Sequence, residues 1–224
     1  MDVLKESNIL YEDNHLLVVI KPKNIPVCKD SSNDLDLLSI LKEYIKNKYN
    51  KPGNVYLGLI HRLDRPVEGI MVFAKTSKAA ERLSKQIINN EFHKTYYAIL
   101  CGIPKQNDTF EDYLIKDEKT NTSYVTTKEK GKLAKLTYHI INTKDNLSLV
   151  KINLLTGRHH QIRVQFSHHG YPLYGDHKYN KQFINSNKED ICLIAKELEF
   201  YHPTTKELLH FEIDLPKRYP YTLF

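Results

Sequence analysis

The order of elements along the chain predicts an α+β fold built on a largely antiparallel sheet, and three observations carry that prediction. Strand-like runs follow one another across short turns, as in successive hairpins. A few amphipathic helical stretches interrupt them at irregular intervals, so the regular strand–helix–strand alternation of a parallel sheet is missing. At 224 residues the chain is long enough for one good core and near the upper end of what one core serves. We therefore expect a single domain over residues 1–224, with its core at about 9–216 and room for a lobe.

The elements follow in order. Ile9–Ile20 reads as two short strands around Asp13-Asn14, and Lys21–Val27 continues as an extended segment restricted by Pro22 and Pro26. Leu37, Leu38, Leu41, Tyr44, Ile45 and Tyr49 recur at spacings of three and four, which predicts a helix over about Asp36–Tyr49. Asn33 or Asp34 is available to cap it, and Pro52-Gly53 to stop it. Val55–Ile60 and Ile70–Ala74 are strand-like, and Thr76 or Ser77 caps a second helix over about Lys78–Asn89 with Ala80, Leu83 and Ile87 inward. Thr95–Cys101 is a strand closed by Gly102 and Pro104. Residues 103–135 are polar and lysine-rich, either a loose insert or a hairpin with Phe110–Lys116 and Ser123–Thr127 as edge strands. Its Lys116, Lys119, Lys128, Lys130, Lys132 and Lys135 are either solvated or set to meet phosphate. Leu136–Ile141 and Leu147–Leu155 pair across an Asp-Asn turn, and His160–His169 is a helix burying Ile162 and Phe166 and stopping at Gly170. Leu193–Phe200 and Leu208–Ile213 flank a final turn at His202–Thr205. No internal repeat or low-complexity segment is visible.

Composition excludes several classes. Hydrophobic residues at 41% and charged residues at 27% fit a globular protein and argue against wholesale disorder. No apolar run approaches the ~20 residues of a membrane helix. The N-terminal MDVLKESNILYEDN carries acids where a secretory signal has a basic and then an apolar stretch, so a cytoplasmic location is expected. Cys28, Cys101 and Cys192 are odd in number, widely spaced and without a C-x-x-C pair, as in a protein with reduced thiols. A net charge of +6 permits a polyanionic partner without demanding one.

Chemistry concentrates in two stretches. His61–Lys75, HRLDRPVEGIMVFAK, brings Asp64, Arg62 and Arg65 to a turn between two apolar strands, with Pro66 fixing one φ and Gly69 permitting a backbone that a Cβ would resist. Leu155–Arg163, LTGRHHQIR, is followed by His168, Gly170, Pro172, Gly175, Asp176 and Tyr179. With Lys94-Thr-Tyr96, these stretches resemble the RluA-type family of pseudouridine synthases, which isomerise uridine in RNA to its C-glycoside. The resemblance covers about Ile9 to Pro216, and its most specific parts are HRLDR…G and TGR-x-HQIR in this order and separation. It implies a curved, mixed sheet flanked by helices, with the active-site cleft across its middle. Many members carry a small RNA-binding domain before the catalytic one. This chain has no room for it, so the grip on RNA is expected to belong to the catalytic domain.

Breaking a C–N glycosidic bond builds positive charge at C1′, which an ionised carboxylate stabilises or traps. The resemblance assigns that carboxylate to Asp64 and its salt-bridged partner to Arg163, whose guanidinium favours the charged acid and grips it as a fork. Tyr96 matches the residue that stacks the uracil while it turns, and implies a part for its hydroxyl in removing the C5 proton; Tyr97 should face the other way. The target base must be extruded from folded RNA, and Arg62 is placed to fill the gap. His61, Arg65 and Arg158 are candidate phosphate or sugar contacts, and Ile162 a candidate apolar wall against the base.

No cofactor and no metal is expected, because His159, His160, His168, His169 and His177 match no metal-ligand spacing. RNA, ribosomal or transfer, is the expected partner, and the chain is expected to be a monomer with no membrane association and no obligate protein partner. Two departures bear on specificity: Pro66, Val67 and Glu68 stand where the family usually reads Asp-Thr-Ser, and His159 where it reads Thr. The rival readings are an RNA-binding protein with the synthase fold but little turnover, and a metal-dependent hydrolase. Tritium release from 5-tritiated uridine separates the first rival, and activity that survives a chelator removes the second. The choice between a covalent C1′ adduct and 2′-proton abstraction is open at this level.

Overall fold

The computed structural model describes residues 8–30, 32, 34–186 and 188–224. The chain forms two compact units, the first running to Phe92 and taking in Glu197–Ile213, the second comprising His93–Lys196 and Asp214–Phe224. Eleven strands and three α-helices make up the described structure, the α+β class expected from the sequence.

In the first unit, β1 (Ile9–Glu12) and β2 (Leu16–Lys21) form a hairpin whose turn is closed by Asp13, its carboxylate accepting from His15 and Leu16 N–H at 2.7 and 2.6 Å. The α1 helix (Leu37–Lys48) buries Leu37, Leu41 and Ile45. Its N-cap is Asp36, which accepts from Ser39 N–H at 3.0 Å. This replaces the expected Asp34, whose carboxylate is bound by Arg65 instead; Asn33 lies outside the described residues. The short β3 (Gly58–Leu59) and β4 (Glu68–Ala74) bracket the HRLDR turn, and α2 (Ser77–Ile88) is capped by Thr76 as predicted.

All of β5 (Phe92–Cys101) after Phe92 belongs to the second unit. The lysine-rich stretch resolves as a hairpin of β6 (Asn107–Asp117) and β7 (Thr122–Thr126), followed by β8 (Lys132–Lys144) and β9 (Leu147–Leu154). Asp145 and Asn146 both take positive φ, 52° and 58°, which is what a two-residue turn matched to strand twist requires. After α3 (Gln161–His168) comes β10 (Leu193–Tyr201), which begins in the second unit and ends in the first, where β11 (Leu208–Glu212) pairs with it.

Strand order in the first unit is β1-β2-β4-β10, with β3 also on β4; in the second it runs from β10 through β5-β9-β8-β6-β7. The described registers within each unit are antiparallel. Leu16 to Val19 are fully buried, which explains why β2 reads as a continuous apolar run and not an alternating one. Leu16, Val18, Ile70, Val72, Ala79, Leu83, Phe92, Leu198 and Phe200 form the core of the first unit. In the second, the rings of Phe110, Tyr138 and Phe166 meet pairwise at 5.1 Å. Each such buried side chain contributes about 1.5–3 kcal/mol.

Candidate active site

Asp64 opens a tight turn that Val67 N–H closes by donating to the Asp64 carbonyl at 3.0 Å. Arg65, preceding a proline, is held away from the helical region, so the turn has little freedom. Lys21 holds it from beneath. Its side chain is fully buried, and its ammonium donates to the carbonyls of Arg65 (3.0 Å), Val67 (2.7 Å) and Pro22 (2.9 Å). Burial pushes the Lys21 pKa down to about 7, Asp64 and Glu68 pull it up, and Arg65 adds to the lowering. Gly69, at φ 132°, occupies the register position opposite Lys21, the backbone freedom read from the sequence.

The neighbours of Asp64 divide by role. Arg62 is exposed and Asp64 is half-buried. Arg65 is bound to Asp34 and to the Ser32 hydroxyl at 3.0 Å, with Asp30 at 3.7 Å. His61 turns inward: its Nε2 accepts from Val72 N–H at 3.2 Å, and its ring stands edge-on to Phe92 at 5.4 Å. Because β3 ends at Leu59, the His61 ring extends the pairing of β4 where the backbone of β3 has left it.

In the second unit, Tyr96 is 6% exposed on β5, opposite Ile152. Tyr97 faces the other way, with Lys151 and Lys196 ammonium groups 5.8 and 5.2 Å from its ring centre. Ile162 and Arg163 are both 4% exposed on α3. Asp176 grips Arg163 as a fork, accepting from Nε at 2.8 Å and Nη2 at 2.7 Å. The Tyr179 ring lies 5.2 Å from the same guanidinium, and Tyr179 N–H donates to Asp176 at 3.2 Å. Gly175 makes this turn possible: a Cβ there would fall 2.1 Å from the Asp190 carbonyl oxygen.

The loop before α3 is fastened to β8. The Gln161 carbonyl oxygen accepts from the Thr156 hydroxyl at 2.7 Å and from Arg158 N–H at 3.0 Å, while its amide donates to the Lys135 carbonyl at 3.1 Å. Arg158 is exposed, its Nε donating to the Leu133 carbonyl at 2.8 Å. His159 bonds the Ser123 hydroxyl at 2.9 Å, so this departure from the family pattern ties the loop to β7. His160, the residue just before α3, takes φ 54° and bonds the Tyr179 hydroxyl at 2.7 Å; burial, then the Arg163 charge, pushes its pKa down to about 2, so it stays neutral. His169 stacks on Phe110 at 3.8 Å and bonds Asp112 at 3.1 Å. Among the described residues, no group of three or more His, Cys, Asp or Glu is placed to hold a metal ion.

The structure therefore gathers His61, Arg62, Asp64 and Arg65 on one loop of the first unit, and Tyr96, Arg158, Ile162 and Arg163 within the second. Sequence reasoning passed over Lys21, Gln161, Asp176 and Tyr179 as supports. The G-D-x-x-Y run after α3 was the visible signal for the last two.

Residues 15–168 match the model of the RNA pseudouridylate synthase family. An uncharacterized RNA pseudouridine synthase of Bacillus subtilis is 33% identical over 222 residues, covering 97% of this chain and 73% of the relative. The ribosomal large subunit pseudouridine synthase D of Pseudomonas aeruginosa is 32% identical over 231 residues, covering 97% and 71%. Among solved structures, human RNA pseudouridylate synthase domain containing 4 shares the fold at a TM-score of 0.79 and 22% identity, over 94% of this chain and 89% of that one. The chain belongs to the RNA pseudouridine synthase family, the isomerases of uridine in RNA. Within it, the HRLDR and TGR-x-HQIR motifs and the relatives above mark the RluA type.

Proposed function

We propose that this protein isomerises particular uridines of structured ribosomal RNA, acting as a monomer in the cytoplasm, with Asp64 as the acid that attacks or deprotonates the sugar. Asp64 meets the charge that develops at C1′, and Arg163 is the cationic residue of the reaction. Tyr96 stacks the freed uracil while C5 is brought to C1′. Arg62 fills the gap left by the extruded base, Arg65 and Arg158 meet phosphate, and Ile162 packs against the base edge. Ribosomal RNA is preferred to transfer RNA because the Pseudomonas aeruginosa relative is named a ribosomal large subunit pseudouridine synthase.

The observation that carries this reading is the turn of Asp64 itself. A buried ammonium bonded to the carbonyls of Arg65 and Val67 fixes the backbone next to a half-buried carboxylate. Such rigid support is what a group needs if it must meet a reacting carbon within a few tenths of an ångström. Mapping pseudouridine across ribosomal and transfer RNA from cells with and without this protein tests the proposal. Loss of one or a few large-subunit sites is the expected result. An unchanged ribosomal map, or losses confined to transfer RNA, overturns the choice of substrate.

A further inference from the structure

Lys94 is a cation that the fold half-buries and leaves without a partner. Among the described residues, no carboxylate, carbonyl, hydroxyl or ring takes up its ammonium, and burial alone lowers its pKa. Other lysines drawn into the fold are provided for: Lys21 by three carbonyls, Lys75 by Glu12 at 2.8 Å, Lys196 by the Tyr97 ring at 5.2 Å. Withdrawing an ammonium from water is costly, and an unpaired one marks a candidate place for the anion of a ligand.

Two features place that ligand. Lys94 stands two residues before Tyr96 on β5, so the two side chains leave the same face about 6–7 Å apart along the strand. Beside the ammonium is Gly157, exposed in the turn that leads to α3; a Cβ on it would lie 3.6 Å from Nζ. The missing side chain keeps the approach to the ammonium open. A uracil stacked on Tyr96 carries its own phosphate one sugar away, on the scale of this separation. A compact point charge with three donors suits phosphate better than the flat edge of a base.

We infer that Lys94, approached past the bare backbone of Gly157, is the subsite for the phosphate of the flipped nucleotide whose base Tyr96 stacks. The inference rests on the pseudouridine synthase reading and adds to it a binding residue. Binding the phosphate repays the desolvation of the lysine, so RNA with the base extruded is held more tightly than RNA with the base stacked.

The test uses the full chain and unmodified large-subunit ribosomal RNA transcripts labelled with 5-tritiated uridine. Lys94→Met is expected to raise KM about 10- to 100-fold with kcat little changed. The slope of log affinity against log salt should fall by about 0.7, the share of one single-strand phosphate. Lys94→Arg should recover most of the loss, and Gly157→Val, which covers the ammonium and leaves the lysine in place, should mimic Lys94→Met. Wild-type protein gives a readout free of any folding defect: acetylation of Lys94, followed by mass spectrometry, should proceed in the free enzyme and be blocked by RNA. Wild-type KM and salt slope in Lys94→Met overturn the inference, as does a fall in kcat alone, which puts Lys94 on the base, or acetylation indifferent to RNA. If the wild-type enzyme releases no tritium, the isomerase reading fails, and RNA protection of Lys94 still decides the phosphate subsite.

Discussion

Asp176→Ala removes the carboxylate that holds Arg163, and the structure sets the size of the effect. Arg163 and Asp176 side chains are 4% and 0% exposed, so solvent cannot replace the lost partner. Two N–H···O bonds of 2.8 and 2.7 Å go at once, and the turn loses the acceptor for Lys178 N–H at 2.9 Å and Tyr179 N–H at 3.2 Å. Breaking a buried ion pair by removing one member costs about 3–5 kcal/mol. For a chain of this size that lowers Tm by about 6–20 °C. The chain has no tryptophan, so urea and thermal unfolding are best followed by circular dichroism. Asp176→Asn keeps an acceptor oxygen and the shape of the turn, and should lose about 1–3 kcal/mol. A loss below about 1 kcal/mol for Asp176→Ala, the scale of an exposed pair, refutes the assignment of Asp176 as the anchor of Arg163.

Other outcomes follow from the same contacts. Arg163→Lys keeps a charge beside Asp176 but cannot form the fork, so turnover should fall about 100-fold while stability falls less than in Asp176→Ala; wild-type kcat contradicts this. The folded pKa of Lys21 is lowered to about 7, so between pH 7 and its ordinary 10.5 the unfolded chain binds more protons and stability rises with pH. Lys21→Met should flatten that rise in urea titrations and slow isomerisation by loosening the Asp64 turn; an unchanged slope counts against the buried ammonium. His160 is likewise lowered, from 6.5 to about 2, so its contribution is complete above pH 6.5 and shrinks as the pH falls toward 2. His160→Asn, with a residue that tolerates positive φ, should weaken the acid sensitivity of stability between about pH 6.5 and 4, as read from the unfolding midpoint at each pH.

Local pattern carried much of the architecture. Three-and-four spacing located all three helices to within a residue or two, Thr76 was legible as a cap, and the Asp145-Asn146 turn announced β8 and β9. Contacts made across long sequence separations were not legible. Asp36 displaced Asp34 as a cap because Arg65, 31 residues on, binds Asp34. Tyr49 lies on the apolar repeat of α1, yet it is exposed, because its hydroxyl bonds Glu12 at 2.9 Å and three lysines surround its ring. Burial pushes the Glu12 carboxyl up, but bonds from Lys48, Lys75, Tyr49 and Tyr44 outweigh it and hold the pKa at about 2. Gln86 is polar yet buried, exchanging hydrogen bonds with the backbone of Tyr201, 115 residues away. At the candidate site, the motifs named Asp64, Tyr96 and Arg163 directly. Lys21 escaped notice because its carbonyl partners at Arg65 and Val67 are 44 and 46 residues away, and no local pattern marks an ammonium bonded to backbone.

Tritium release from 5-tritiated uridine in unmodified large-subunit ribosomal RNA, compared between wild type and Asp64→Asn, reaches the central claim most directly. Asn keeps the size of the side chain and removes only its charge, so RNA binding and the unfolding midpoint should stay near wild type while release falls to background. Release from Asp64→Asn at the wild-type rate would show that the reaction proceeds without this carboxylate.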